Sequence, residues 1–262
     1  MVERLFAALA EWEQVEAIAL GGSRAGKNAD EASDYDVYLY CTAPIGEAQR
    51  RALLTGFCSY MEIGNHYWET EDNCVLKNGV DLDLLYRDPD AFCADVADVV
   101  EKHHAHNGYT TCMWHNLLTC RILCDKRGRL QKMKERFSVP YPEPLRNNII
   151  ERNTNLLYAA MPAYAGQIKK ACGRGDRVSI VHRTAAFLES YFDVLFAVNR
   201  LTHPGEKRLV ALCQRDCRIL PDRFTENLNR LFTDMANDPD ALCADLEAII
   251  AALKRILPGS AE

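Results

Sequence analysis

The stretch from Asp34 to Tyr40 alternates without a break. Asp34, Asp36, Tyr38 and Tyr40 fall on one side, and Tyr35, Val37 and Leu39 on the other. Period-two patterning of this kind predicts a strand with one polar and one buried face. A second alternating stretch follows the turn signal Asn78-Gly79. Here Val80, Leu82 and Leu84 face one way, and Asp81, Asp83 and Leu85 the other. Upstream, VEAIAL (15–20) reads as a buried strand that runs straight into Gly21-Gly22-Ser23. Any fold for this chain must therefore house several strands in its first half, two of them carrying paired aspartates.

The remainder of that half reads as mixed. Helical spacing is expected over 2–12, 45–57 and 89–106, a strand over 121–125 (RILCD), and a helix in RGRLQKMKERF after it. Residues 60–74 read as a loop joining the two aspartate strands, with Glu62, Trp68, Glu69 and Asp72 as candidates to shape an acceptor pocket. At SVPYPEPLRNN (138–148) three prolines predict an extended linker. Beyond it the patterning is helical throughout: 146–172, 176–201, 205–217, 221–236 and 239–257. The expected fold class is α+β, a small mixed-sheet domain over 1–137, a linker over 138–148 and an all-α bundle over 149–262. A length of 262 residues suits this division.

Charge and cysteine usage narrow the partners. A formal charge of −6 argues against sequence-independent nucleic-acid binding, which needs a basic footprint. It sits better with a metal-dependent site or a cationic acceptor. The eleven cysteines are scattered, with no C-x-x-C pair, and read as reduced thiols. The start of the chain mixes acids among apolar residues, and no apolar run reaches membrane-spanning length. The expected location is the cytoplasm. Oligomeric state is not legible.

Two aspartates one residue apart on a strand point to the same side, an arrangement that is costly unless a cation neutralises them. If the two aspartate strands are neighbours, three or four carboxylates converge. Hard oxygen ligands with this much charge suit Mg²⁺, and two such ions can activate a hydroxyl and stabilise a leaving pyrophosphate. The glycine turn can approach phosphates closely, with Ser23 and Arg24 adding a hydroxyl and a positive charge.

GGSRAGKNADEASDYDVYLY followed by GVDLDLLY resembles the signature of the DNA polymerase β-like nucleotidyltransferase superfamily. The resemblance is nearest to bacterial enzymes of the aminoglycoside and lincosamide type, which append a helical domain. It implies that Gly22 and Ser23 hold a triphosphate, that Asp34 and Asp36 bind both metal ions, and that Asp83 completes one metal site. Asp83 is preferred to Asp81 because the family's third carboxylate lies deeper in its strand; Asp81 stays in reserve. In one departure, Lys27 stands where the family often has glycine, with Gly26 just before it.

The implied activity is transfer of a nucleoside monophosphate, AMP from ATP, to a hydroxyl of a small molecule, with release of pyrophosphate. An antibiotic is one candidate acceptor. The alternatives are a protein or tRNA acceptor, and a non-catalytic nucleotide-binding module. In the helical half, His182, Glu189, Asp193 and Arg200 share one narrow stripe at about 100° per residue. Glu189 or Asp193 is thus a candidate to take the acceptor's proton, and Lys207 a candidate to reach the triphosphate. His103, His104 and His106 are expected at a helix end, as capping or exposed residues rather than metal ligands.

Overall fold

The computed structural model describes residues 1–25 and 33–259, apart from the side chain of Ser23. Two compact units emerge. The first comprises Met1–Ala97 and Asn116–Val139, the second Asp98–His115 and Pro140–Glu262. The chain thus leaves the first unit and returns to it once.

In the first unit a helix α1 (Val2–Ala10) precedes strand β1 (Val15–Leu20). A four-residue helical turn α2 (Gly22–Ala25) leads towards β2 (Tyr35–Cys41). Next come α3 (Glu47–Leu54), β3 (Cys58–Asn65), β4 (Thr70–Leu76) and β5 (Asp81–Arg87). Helix α4 (Pro89–Val100) and helix α5 (Cys112–Thr119) carry the chain out and back, and β6 (Arg121–Asp125) and α6 (Arg129–Phe137) complete the unit. The six strands form one sheet in the order β3-β4-β5-β2-β1-β6. Only β2 and β5 run parallel; every other pairing is antiparallel, so the sheet is mixed.

Strands β1, β2 and β5 follow their sequence patterns. All six residues of β1 are buried, as an unalternating apolar run requires. Along β2 and β5, Val37, Leu39, Leu82 and Leu84 are fully buried and meet Leu5, Leu9 and Leu54 from α1 and α3. Burying one such side chain is worth roughly 1.5–3 kcal/mol, so this face fixes the register of the aspartates on the other.

Three expectations are corrected here. Residues 60–74 are not a loop: they make most of the hairpin β3–β4, whose register slips at Cys58/Tyr60 and Ile63/Asn65. Those irregularities break the alternation that would have revealed the strands. The three-proline segment is not extended throughout, because α7 (Glu143–Thr154) begins inside it. Pro142 caps that helix and Pro144 lies in its first turn, where no backbone N–H is needed. The expected helix over 89–106 also stops at Val100.

The second unit is helical. After α7 come a single π-helical turn (Asn155–Ala159), α8 (Tyr164–Cys172) and the 22-residue α9 (Arg177–Val198). Then follow α10 (Leu209–Asp216), α11 (Phe224–Asn237) and α12 (Pro239–Lys254). The side chain of Asp176 caps α9 by accepting from the Ser179 N–H at 3.1 Å. From Ser190 to Val198 every residue of α9 is buried, so this helix is the unit's axis. No helix among the described residues is long and apolar enough to cross a membrane, and the eleven cysteines are free thiols.

Candidate functional site

The parallel pairing of β2 with β5 sets Asp36 directly opposite Asp83. Register partners on neighbouring strands point to the same face, a few ångströms apart. The row continues outward, because Asn73 on β4 pairs with Asp83 and Glu62 on β3 pairs with Asn73. One polar stripe therefore crosses four strands on the face opposite the aliphatic core. Asp81 is exposed at the start of β5, opposite Val75.

The glycine corner lies at the end of this stripe. Gly21 donates its N–H to the Asp36 carbonyl at 2.8 Å, which pins the corner to β2. Gly22 has φ +58°, a left-handed backbone that favours glycine, and a Cβ added there would come within 1.9 Å of Asp36 Oδ2. A Cβ on Gly21 would likewise come within 2.3 Å of the Tyr38 ring. Both glycines are thus required by close approach to β2 side chains.

Asp34 is half-buried just before β2. Its carbonyl and that of Ser33 accept from Arg24 Nε at 3.2 and 2.7 Å, and the Arg24 guanidinium lies 3.9 Å above the Tyr35 ring. Arg24 therefore ties α2 to the entry of β2. Ser23 is on α2, but its side chain lies outside the described residues, as do Gly26 and Lys27. Among the described residues no group of three or more acidic, histidine or cysteine side chains is drawn together tightly enough to hold a metal ion. Asp36 and Asp83 are brought side by side; Asp34 does not close a three-carboxylate cluster with them.

Further groups on this face escaped the sequence reading. Asn73 Nδ2 donates to Asp83 Oδ1 at 2.9 Å. Burial, and next the Asp83 carboxylate, push the Glu71 carboxyl above its ordinary range. Burial also raises the Tyr38 hydroxyl, against the Arg87 guanidinium 4.0 Å from its ring. Arg87 makes two 2.7 Å bonds to Glu69, while Asn116 donates to the Tyr38 hydroxyl at 2.9 Å. The missed signal was the β4 strand itself: without its register, Asn73 had no visible partner.

Of the four acceptor-pocket candidates, Glu62 lies on the polar face and Glu69 holds Arg87. Trp68 is 87 % exposed at the hairpin tip beside Tyr67. Asp72 is excluded: it is fully buried on the opposite face, where Arg50 pairs with it.

In the second unit Asp193 is buried rather than available to an acceptor. Thr110 donates to it through both N–H and hydroxyl, at 3.2 and 2.6 Å, and Asn153 Nδ2 donates at 3.2 Å. Burial pushes its carboxyl up to about 7 in spite of those donors. Glu189 is half-buried, and a Cβ added to Gly108 would come within 2.9 Å of its Cβ. Lys207 is exposed in the turn before α10. Of the histidines, His103 has φ +61° and His104 Nδ1 lies 2.8 Å from Asp98 Oδ2.

Comparison with known proteins adds three findings. A family described as a domain of unknown function (DUF4037) matches residues 109–209, less than half of the chain. No curated protein matches. Among solved structures, the chain is similar to a nucleotidyltransferase-like protein from Exiguobacterium sibiricum, at 12 % identity and a TM-score of 0.43 over 98 % of this chain and 74 % of that one. It is also similar to an aminoglycoside 6-adenyltransferase from Bacillus subtilis, at 11 % identity and a TM-score of 0.31 over 98 % and 89 %. Scores this low carry no argument about activity. The functional reading rests on the site.

Proposed function

We propose that this chain is a metal-dependent nucleotidyltransferase, moving AMP from ATP onto a hydroxyl of a small-molecule acceptor and releasing pyrophosphate. One observation carries the reading: Asp36 and Asp83 are register partners on parallel strands, beside a glycine corner that could bear no side chain.

The donor set fits Mg²⁺ in kind. Carboxylate oxygens are hard ligands, and two side by side repel unless a cation joins them. Asp36 and Asp83 would hold the ions, with Asp34 as the third ligand that the sequence nominates. When bound, the pair of ions would supply a more acidic acceptor hydroxyl and neutralisation of the leaving pyrophosphate.

The chain's own residues do the positioning. The Gly21 N–H bond to Asp36 keeps the corner against the strand, and the missing side chain of Gly22 leaves room for a phosphate to approach. Ser23 is assigned to the triphosphate, and Arg24, whose guanidinium lies over the Tyr35 ring, holds the backbone at Asp34. The sequence names Glu189 and Lys207 as candidates for proton acceptance and triphosphate contact. The carboxylates Glu62, Glu71 and Asp81 make the polar face strongly acidic, which favours a cationic acceptor.

The test is pyrophosphate release from a panel of nucleoside triphosphates and acceptors, with Asp36→Asn, Glu189→Gln and Lys207→Ala alongside. Asp36→Asn should lower turnover at least about a thousandfold, about 4 kcal/mol of barrier, with a melting temperature no lower than the parent's. Activity close to the parent's in that variant would defeat the proposal.

A further inference from the structure

The polar stripe contains a directed chain of side-chain hydrogen bonds that none of the expectations above included. The Tyr60 hydroxyl donates to Glu62 Oε1 at 2.7 Å. Asn65 Nδ2 donates to Glu62 Oε2 at 3.2 Å and to Asn73 Oδ1 at 2.6 Å. Asn73 Nδ2 then donates to Asp83 Oδ1 at 2.9 Å.

The sense of this chain is forced. Glu62 as a carboxylate only accepts, so Asn65 must present its NH₂ group there. The same NH₂ group faces Asn73, which must therefore present its oxygen to Asn65 and its NH₂ group to Asp83. The Tyr60 hydroxyl first, and the Asn65 amide second, hold the Glu62 carboxyl below its ordinary range, so the accepting end persists at neutral pH. One amide hydrogen thus fixes the rotation of the Asp83 carboxylate.

We infer that Asn73 is a positioning residue for the metal ligand Asp83, oriented in turn by Asn65 and Glu62. The inference rests on the proposed nucleotidyltransferase reading, because it assigns Asp83 to a divalent cation. Groups that orient a ligand from behind are worth about 10–100-fold in metal affinity or activity. A carboxylate free to rotate must be ordered again at every binding event. Asn73 touches no substrate in this scheme and reaches the metal through Asp83, while its amide also faces the Glu71 carboxyl.

The experiment measures Mn²⁺ affinity of the full chain by electron paramagnetic resonance, with no nucleotide present, beside pyrophosphate release and melting temperature. Asn73→Leu keeps the shape and removes the donor. It should weaken Mn²⁺ binding about 10–100-fold and lower kcat more than it raises KM for the triphosphate. Asn73→Gln, which restores a donor, should recover most of the affinity. Asn65→Leu, which lets the Asn73 amide turn over, should fall between the two, and carries the test if Asn73→Leu fails to fold.

Parent-like Mn²⁺ affinity in folded Asn73→Leu, or in Asn65→Leu should that variant carry the test, would overturn the inference, whatever the turnover. If Mn²⁺ binding weakens as expected but the parent releases no pyrophosphate, the positioning role stands and the proposed reaction falls. A parent that binds no Mn²⁺ at all would remove both.

Discussion

Asp72 and Asp83 lie on neighbouring strands and on opposite faces of one sheet, and their surroundings differ completely. Asp72 is fully buried, paired with Arg50, and accepts from the Gly64 N–H and the Tyr86 hydroxyl, each at 2.8 Å. The Arg50 guanidinium also lies 4.8 Å from the Tyr86 ring. Asp83 is half-buried, faces another carboxylate, and accepts from the Asn73 amide. A carboxylate whose charge is matched inside the protein serves the fold. One set against a like charge is held there at a cost, which a ligand from outside can offset. On the proposed reading, the same residue type, one position apart across a β ladder, does two jobs.

Asp193 makes a third case: buried like Asp72, yet satisfied by three neutral donors and no cation. Its carboxyl rises to about 7 accordingly, whereas burial pulls the His203 imidazole down to about 4.

Substitutions can break this comparison. The largest effect on stability should come from Asp72→Ala, which strands Arg50 without its partner. About 3–5 kcal/mol should be lost in urea unfolding, with turnover per folded molecule little changed. A loss below about 1 kcal/mol would erase the distinction from Asp83.

A smaller effect is expected from Asp193→Asn, which replaces an oxygen that accepts by an amide that donates, at about 1–3 kcal/mol. Its pH dependence has a definite sign. With a folded pKa near 7 and an unfolded value near 3.9, Asp193 binds its proton more tightly when folded, so it favours folding as pH drops between those values. The variant should therefore trail the parent by more near pH 5 than near pH 7.5, in melting temperatures taken across that range. His203 works in the opposite direction, losing stability as pH falls from about 6.5 towards 4, but it is common to both proteins and drops out of the difference. An equal gap at both pH values would contradict the raised Asp193 carboxyl.

The smallest effect belongs to Trp68→Ala. This side chain is 87 % exposed, so stability should change by no more than about 0.5 kcal/mol. A rise in KM for the acceptor alone would place the hairpin tip in acceptor binding.

Much of the first unit could be read directly. The strands at 15–20, 34–40 and 80–85 came from alternation or from an unbroken apolar run, and each is present within a residue or two of its expected ends. Most helices of the second half followed from their spacing, but the single helix expected over 146–172 is broken: α7 ends at Thr154 and α8 begins only at Tyr164, after the π-helical turn. The hairpin β3–β4 did not, because its slips in register scramble the period on which such readings depend. Nor did the helical start at Glu143, since proline in a first turn looks locally like proline in a linker.

The site divides in the same way. The local code of this chain determined which carboxylates share a strand face and that a glycine turn precedes them, because both follow from a few adjacent residues. Tertiary structure alone decided that β5 lies beside β2 in a register matching Asp36 to Asp83, and that β4 supplies Asn73 to one of them. It also decided that Asp72 belongs to Arg50 and Asp193 to Thr110 and Asn153. These partners come from segments remote in sequence. Their pairing is chosen by which apolar faces can be buried together, a condition on the whole chain that no short stretch of it records.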